Sequence, residues 1–131
     1  MTAASIQGIG QIAVYVKDLP TAVAFYRDRL GLPLLFEVAG MAFFDVGGIR
    51  LMLTQPNASD ATTRASILYF RVSDIATNWQ QLMQAGTTAK EPPQQVHVAN
   101  GVALWLAFFE DPSGNVMALM EERRLSSSHL T

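Results

Sequence analysis

The stretch "GQIAVYVKDLPTAV" at residues 10–23 decides how the chain is organised, because "SILYFRVSDIATNW" at 66–79 repeats it at an offset of 56. Val16 aligns with Val72 and Asp18 with Asp74, while Ile12, Val14 and Leu19 align with Leu68, Phe70 and Ile75. Each copy reads as a strand, since apolar and polar positions alternate. Each strand runs into an Asp that can N-cap a following helix by accepting backbone N–H groups. The first helix places Pro20 early and ends at Gly31; the second carries Ile75, Trp79, Leu82 and Met83 on one stripe and ends at Gly86. Matching the two terminal glycines needs an offset of 55, hence a one-residue insertion in the first helix.

A second correspondence follows each helix. "FFDVGGIRLML" at 43–53 aligns with "FEDPSGNVMAL" at 109–119 at an offset of 66, pairing Phe43 with Phe109, Asp45 with Asp111, Gly48 with Gly114 and Leu53 with Leu119. Each half therefore reads strand, helix, then hairpin-linked strands. "LPLLFEVAG", "MAFFDV" and "IRLMLT" are the later strands of the first half; "VALWLAFFE" and "NVMALMEE" belong to the second. The second strand of the second half is the unclear one, because "KEPPQQVHVANG" contains two prolines. The expected organisation is one domain over 1–131 with modules at 6–54 and 66–122, a polar linker at 55–65 and a loose tail at 123–131.

The composition narrows the function. With 131 residues, half of them hydrophobic, the chain is large enough for a core of its own. It has no cysteine, so disulfides, thiolate metal sites and cysteine nucleophiles are excluded, and a cytoplasmic location is the expectation. Nine basic and 11 acidic residues give a net charge of −2, with no basic cluster beyond Arg123–Arg124, which argues against a nucleic-acid partner. "MTAASIQGIG" has neither a charged n-region nor an apolar h-region, so no signal peptide is expected, and no apolar run approaches a membrane span.

A sheet with a helix on one face leaves the other face for a second sheet or a ligand. Alternation assigns Ile12, Val14 and Val16, with Leu68, Phe70 and Val72, to the helix side. The opposite face receives Gln11, Ala13 and Tyr15; Ile67, Tyr69 and Arg71; Arg50, Met52 and Thr54; and Val116, Ala118 and Met120. That mixture of apolar and polar side chains suits a small-molecule cleft.

The order, spacing and duplication of "VKDLPTAVAFYRDRLGL", "GGIRLMLT" and "FFEDPSGNVMALME" resemble the vicinal oxygen chelate superfamily of glyoxalase I, extradiol dioxygenases and bleomycin-resistance proteins, over about residues 6–122. The resemblance implies an α+β fold of two paired βαβββ modules forming a curved, cup-shaped mixed sheet with the helices outside, and a homodimer. It also implies where metal-using members carry their four ligands. Here those positions hold Gln11, in "QIAVYVKDL"; Met52, in "RLMLT"; Ile67, in "SILYFRV"; and Ala118, in "DPSGNVMAL". Divalent ions want imidazole, carboxylate or several oxygens, and this set offers one amide and one thioether. The expectation is therefore no metal and no cofactor. A metal-free protein that binds or sequesters a small organic molecule, anionic or aromatic, is the first reading. A glyoxalase-like lyase, isomerase or dioxygenase using other residues or a shifted metal is the alternative.

The expected ligand-binding cleft comprises Gln11, Tyr15, Arg50, Met52, Ile67, Tyr69, His97, Trp105 and Ala118, with no catalytic residue assigned. Arg50 either pairs with a protein carboxylate such as Asp45 or meets an anionic ligand. Alternation along "ALWLAFF" leaves Trp105 open between cleft wall and helix-facing core. Glu121 and Glu122 read as solvated charges at a strand end. No Ser–His–Asp set has support, and "DVGG" and "DPSG" read as turns rather than phosphate loops.

Overall fold

The computed structural model describes Ser5, residues 7–55 and residues 66–125. The chain divides into two compact units, Met1–Arg64 and Ala65–Thr131. Each has the same plan, a strand, a helix and three further strands, and the class is α+β. Most of the expected linker, and the tail beyond Leu125, lie outside the described residues.

In the first module, β1 (Gln11–Tyr15), β2 (Leu34–Val38), β3 (Met41–Val46) and β4 (Ile49–Thr54) form one sheet in the order β1-β4-β3-β2. The outer pair β1–β4 is parallel, and the two hairpins β2–β3 and β3–β4 are antiparallel. The second module repeats this with β5 (Leu68–Arg71), β6 (Thr88–Ala99), β7 (Val102–Glu110) and β8 (Val116–Arg124), in the order β5-β8-β7-β6.

The parallel closure is what the repeated Asp prepares. Between β1 and β2 runs α1 (Leu19–Ala24), continued by a π-helical turn at Phe25–Arg29; between β5 and β6 runs α2 (Ile75–Gln84). Asp18 accepts the Thr21 N–H at 3.0 Å, and Asp74 accepts the Thr77 N–H at 3.1 Å. Both caps also take their threonine's hydroxyl. These bonds hold both carboxyls below the usual aspartate range, chiefly through the Thr21 hydroxyl at Asp18 and the Thr77 backbone at Asp74.

The π turn accounts for the extra residue of the first helix. A π turn closes i to i+5 and so holds one residue more than an α turn. Here the Leu30 N–H reaches the Phe25 carbonyl at 3.1 Å. The helix can then reach its glycine stop, Gly31 at φ 69°, much as α2 reaches Gly86 at φ 88°.

Helix and sheet bury one face together in each module. In the first, Val14, Val16, Ala42, Phe44, Leu51 and Leu53 are buried on the side of α1, whose neighbour Tyr26 meets Phe44. In the second, Ala103, Ala107, Phe109, Met117 and Leu119 are buried with Ile75 and Leu82 of α2. No helix among the described residues is long and apolar enough to cross a membrane.

Three readings change. The β3 and β7 strands correspond at an offset of 65 rather than 66. Ala42–Phe43–Phe44 matches Ala107–Phe108–Phe109, because Phe44 pairs with Leu51 as Phe109 pairs with Met117. The loop after β7 is the longer one. Gly47–Gly48, with φ of 58° and 94°, joins β3 to β4 in two residues, whereas 111–115 joins β7 to β8. The proline-containing stretch is a full strand: β6 lies at the sheet edge, and its register shifts between Glu91 and Gln94 around Pro92 and Pro93. A missing N–H costs nothing where it faces outward from an edge or a bulge. Asn100–Gly101, both at positive φ, then turns β6 tightly into β7. Finally, Arg123 and Arg124 are not loose. They pair with Ala103 and Val102, and Leu125 N–H donates to the Gly101 carbonyl at 2.8 Å.

Candidate functional site

Each sheet has a face turned away from its helix, and cross-strand register assigns its side chains. In the first module three rows cross the sheet. Gln11, Arg50 and Asp45 form one; Ala13, Met52, Phe43 and Phe36 the next; Tyr15, Thr54, Met41 and Val38 the third. Parallel pairing sets Gln11 directly beside Arg50, and the Arg50 Nε donates to the Gln11 Oε1 at 2.8 Å. The Gln11 Nε2 points to the Met52 Sδ at 3.8 Å. The Arg50 guanidinium lies over the Phe43 ring, 5.5 Å from its centroid, and Phe43 stacks on Phe36 at 4.4 Å and 24°. Asp45 does not take Arg50; its Oδ1 accepts the Gly48 N–H at 3.2 Å, which braces the glycine turn. Among the described residues, no carboxylate pairs with Arg50.

The second module presents different chemistry at the equivalent positions. Ile67 stands one residue before β5 and is exposed; Ala118 is fully buried on β8, between its register partners Tyr69 and Phe108. Tyr69 meets Phe108 edge-on at 6.0 Å. Arg71 and Glu122 form a loose exposed pair at 3.8 Å, and His97 is exposed on β6 opposite Leu104.

Gln11, Arg50 and Met52 are thus brought together, and so are Tyr69 and Ala118. Tyr15 lies at the far end of β1, opposite Thr54, and His97 lies at the sheet edge beyond the row of Arg71. Trp105 is the residue whose side was open, and register decides it. It pairs with Glu121, on the face of Met117 and Leu119, so it belongs to the helix side rather than to the face of Ala118. Arg123 covers its ring at 4.6 Å.

Glu121 is not a solvated charge. It is 7% exposed, its Oε1 accepts the Ile75 N–H at 2.9 Å, and its Oε2 accepts from the Arg123 Nε at 2.8 Å. Arg123 first and the Ile75 N–H second hold its carboxyl below the usual glutamate range. The signal was in the alternation, since Glu121 shares the parity of Met117 and Leu119. Phe43 and its stacking partner Phe36 were missed because the contact of Phe43 with Arg50 depends on sheet order, not on sequence spacing.

The four positions where the resemblance implies metal ligands therefore offer one amide oxygen already accepting from a guanidinium, one thioether and two hydrocarbon side chains. Among the described residues, no group of three or more His, Asp or Glu side chains could hold a metal ion.

A family model described as the Glyoxalase/Bleomycin resistance protein/Dioxygenase superfamily matches residues 8–119. The chain belongs to this superfamily. An integron cassette protein from the mobile metagenome of Vibrio cholerae has a similar structure, with a TM-score of 0.74 at 24% identity over 92% of this chain and 98% of that one. Lactoylglutathione lyase from Agrobacterium tumefaciens follows the same fold, with a TM-score of 0.67 at 23% identity over 89% and 95%. The metallothiol transferase FosB of Staphylococcus haemolyticus is 40% identical over 50 residues, 38% of this chain. That match spans 36% of the length of FosB.

Proposed function

We propose that this chain is a metal-free member of the superfamily that binds, and so can sequester, a small organic molecule on the faces turned away from its helices. The observation that carries this reading is the Arg50–Gln11 hydrogen bond of 2.8 Å at the position implied for a first metal ligand. A guanidinium there repels a divalent cation and occupies the only amide oxygen of the set. Met52, Ile67 and Ala118 supply no hard donor. A positive centre beside a stacked aromatic pair suits an organic anion or an aromatic ring. The reading includes a cytoplasmic homodimer, in which a second copy covers exposed apolar positions such as Leu35, Phe36 and Val38 along the β2 edge.

The test is metal uptake. Protein exposed to Zn²⁺, Mn²⁺, Ni²⁺ and Mg²⁺, then desalted, is expected to retain less than about 0.1 ion per chain and to melt at an unchanged temperature. Retention of one ion per chain, lost in Gln11→Ala, overturns the reading.

A second reading has one observation in its favour, the partial match to FosB. By that protein's name, it points to transfer of a group to a thiol. Turnover of a thiol by the purified chain, abolished in Arg50→Gln, would establish it over sequestration.

A further inference from the structure

Resting on the metal-free reading above, we infer that Arg50 is the residue of the first module that receives a ligand carboxylate, through a guanidinium edge that the fold keeps from pairing internally. Arg50 and Asp45 stand directly opposite each other on β4 and β3. Opposed residues of an antiparallel pair bring their Cβ atoms to about 4.5–5.5 Å, where opposite charges attract. These two do not pair, because each is drawn to another partner. The Arg50 Nε donates to the Gln11 Oε1 at 2.8 Å, on the β1 side. The Asp45 Oδ1 accepts the Gly48 N–H at 3.2 Å, and the Asp45 N–H donates to the Pro33 carbonyl at 3.0 Å.

The arrangement holds without a ligand. A guanidinium only donates, so it turns the Gln11 amide with its oxygen toward Arg50 and its Nε2 toward the Met52 Sδ, at 3.8 Å. The Arg50 N–H donates to the Gly10 carbonyl at 3.2 Å, which keeps β1 against β4 beside this contact. The guanidinium carbon lies over the Phe43 ring, 5.5 Å from its centroid, and the ring covers that side of the group. What is left is the in-plane edge of the two Nη groups, which have no protein partner among the described residues. That edge meets a carboxylate through two parallel hydrogen bonds. β4 stands two strands in from β2, so a second copy paired along the β2 edge does not take the ligand's place. The Asp45 carboxylate remains the neighbouring charge of the row and repels a second negative charge on the ligand. The ligand class is therefore a monocarboxylate rather than a doubly charged oxyanion.

NMR titration of the arginine Nε–H signals tests the assignment, with sodium acetate, sodium sulfate and acetamide as probes at matched ionic strength. Acetate is expected to shift the Arg50 signal saturably, with sulfate at least about threefold weaker and acetamide at least about tenfold weaker. Arg27, paired with Asp28, and the exposed Arg71 are controls within the same molecule, each expected to bind acetate at least about threefold more weakly than Arg50. Gln11→Glu sets a carboxylate of the chain itself against Arg50. It is expected to weaken acetate at least about tenfold, read on the backbone N–H signals of Arg50 and Met52. Asp45→Asn keeps an acceptor for the Gly48 N–H and is expected to abolish the preference for acetate over sulfate. Circular dichroism of both variants checks that they are folded. A response at Arg50 no stronger than at Arg27 and Arg71, equal binding of acetamide, or acetate binding unchanged in Gln11→Glu overturns the inference. A preference for acetate that survives Asp45→Asn overturns the role given to Asp45. None of these touches the metal-free reading, which fails separately if the chain retains a stoichiometric divalent ion.

Discussion

The two modules share a frame and differ in how they use it. On the helix side they are interchangeable. Phe44 and Phe109 fill the same position, as do Ala42 and Ala107, and Leu51 and Leu53 are matched by Met117 and Leu119. On the opposite face they part. The first module sets Gln11, Arg50 and Met52 where the second sets Ile67, Val116 and Ala118. They also part at the start of the helix. Gln55 donates its amide to the Lys17 carbonyl at 3.1 Å, ahead of the Asp18 cap. Glu121, its counterpart, accepts the Ile75 N–H just after the Asp74 cap. The same strand position thus reaches back to the helix start in both modules, with opposite hydrogen-bond polarity. Duplication preserved what packs and freed what faces away.

If the helix sides are equivalent, truncating either central phenylalanine carries a similar cost. Phe44→Ala and Phe109→Ala are each expected to destabilise the protein by about 3–5 kcal/mol, measured as loss of unfolding free energy in urea. A difference larger than that range would show that one module carries most of the core energy.

The helix-start difference predicts a smaller effect confined to one module. Glu121→Ala leaves a buried N–H unpaired and is expected to cost about 2 kcal/mol, against less than about 0.5 kcal/mol for Gln55→Ala at its exposed position. The Glu121 contribution also depends on pH. Its carboxyl is held low in the folded state, so the stability it adds is present above the unfolded glutamate value of about 4.3 and is lost as pH falls through the folded value. The stability gap between wild type and Glu121→Gln is therefore expected to narrow on acidification from pH 6 to about pH 3. A constant gap would mean that the carboxylate charge contributes nothing.

A small effect is also expected at the π turn. Removing Arg27, exposed within Phe25–Arg29, converts the turn to the α-helical count of α2. The deletion is expected to change stability by less than about 1 kcal/mol, because the register on either side is kept. Loss of cooperative unfolding would show that Phe25 and Tyr26 are positioned only by the extra residue.

Much of the frame was legible because it follows from short-range rules. The alternation of "QIAVYV", "MAFFDV" and "IRLMLT" located β1, β3 and β4, and the repeated Asp marked both caps. The one-residue insertion was visible as two glycines out of step, although spacing cannot say that a π turn absorbs it. What failed did so for identifiable reasons. Turn residues Asp45 and Asp111 look alike, and aligning them hid the better match of "AFF" at 42–44 with "AFF" at 107–109. Two prolines masked β6, since an edge strand tolerates what an interior one does not. Glu121 was misread because its charge outweighed its parity. The Gln11–Arg50 contact needed the parallel pairing of β1 with β4, which joins residues 39 apart and leaves no local trace.

That parallel pairing has a consequence for how the chain matures. In each module the first strand finds its partner only in the last, so Gln11 waits for Arg50 and Leu68 waits for Met117. Hairpins such as the one tipped by Asn100–Gly101 close quickly because their contacts are local, whereas the long-range closures are slow. On a ribosome the first sheet has all its strands before β5 is made, while β5 and α2 must stay unsatisfied until β8 emerges. The second module is thus the one exposed to wrong partners at birth, and the proline-broken, irregular edge of β6 guards the side on which such partners would add.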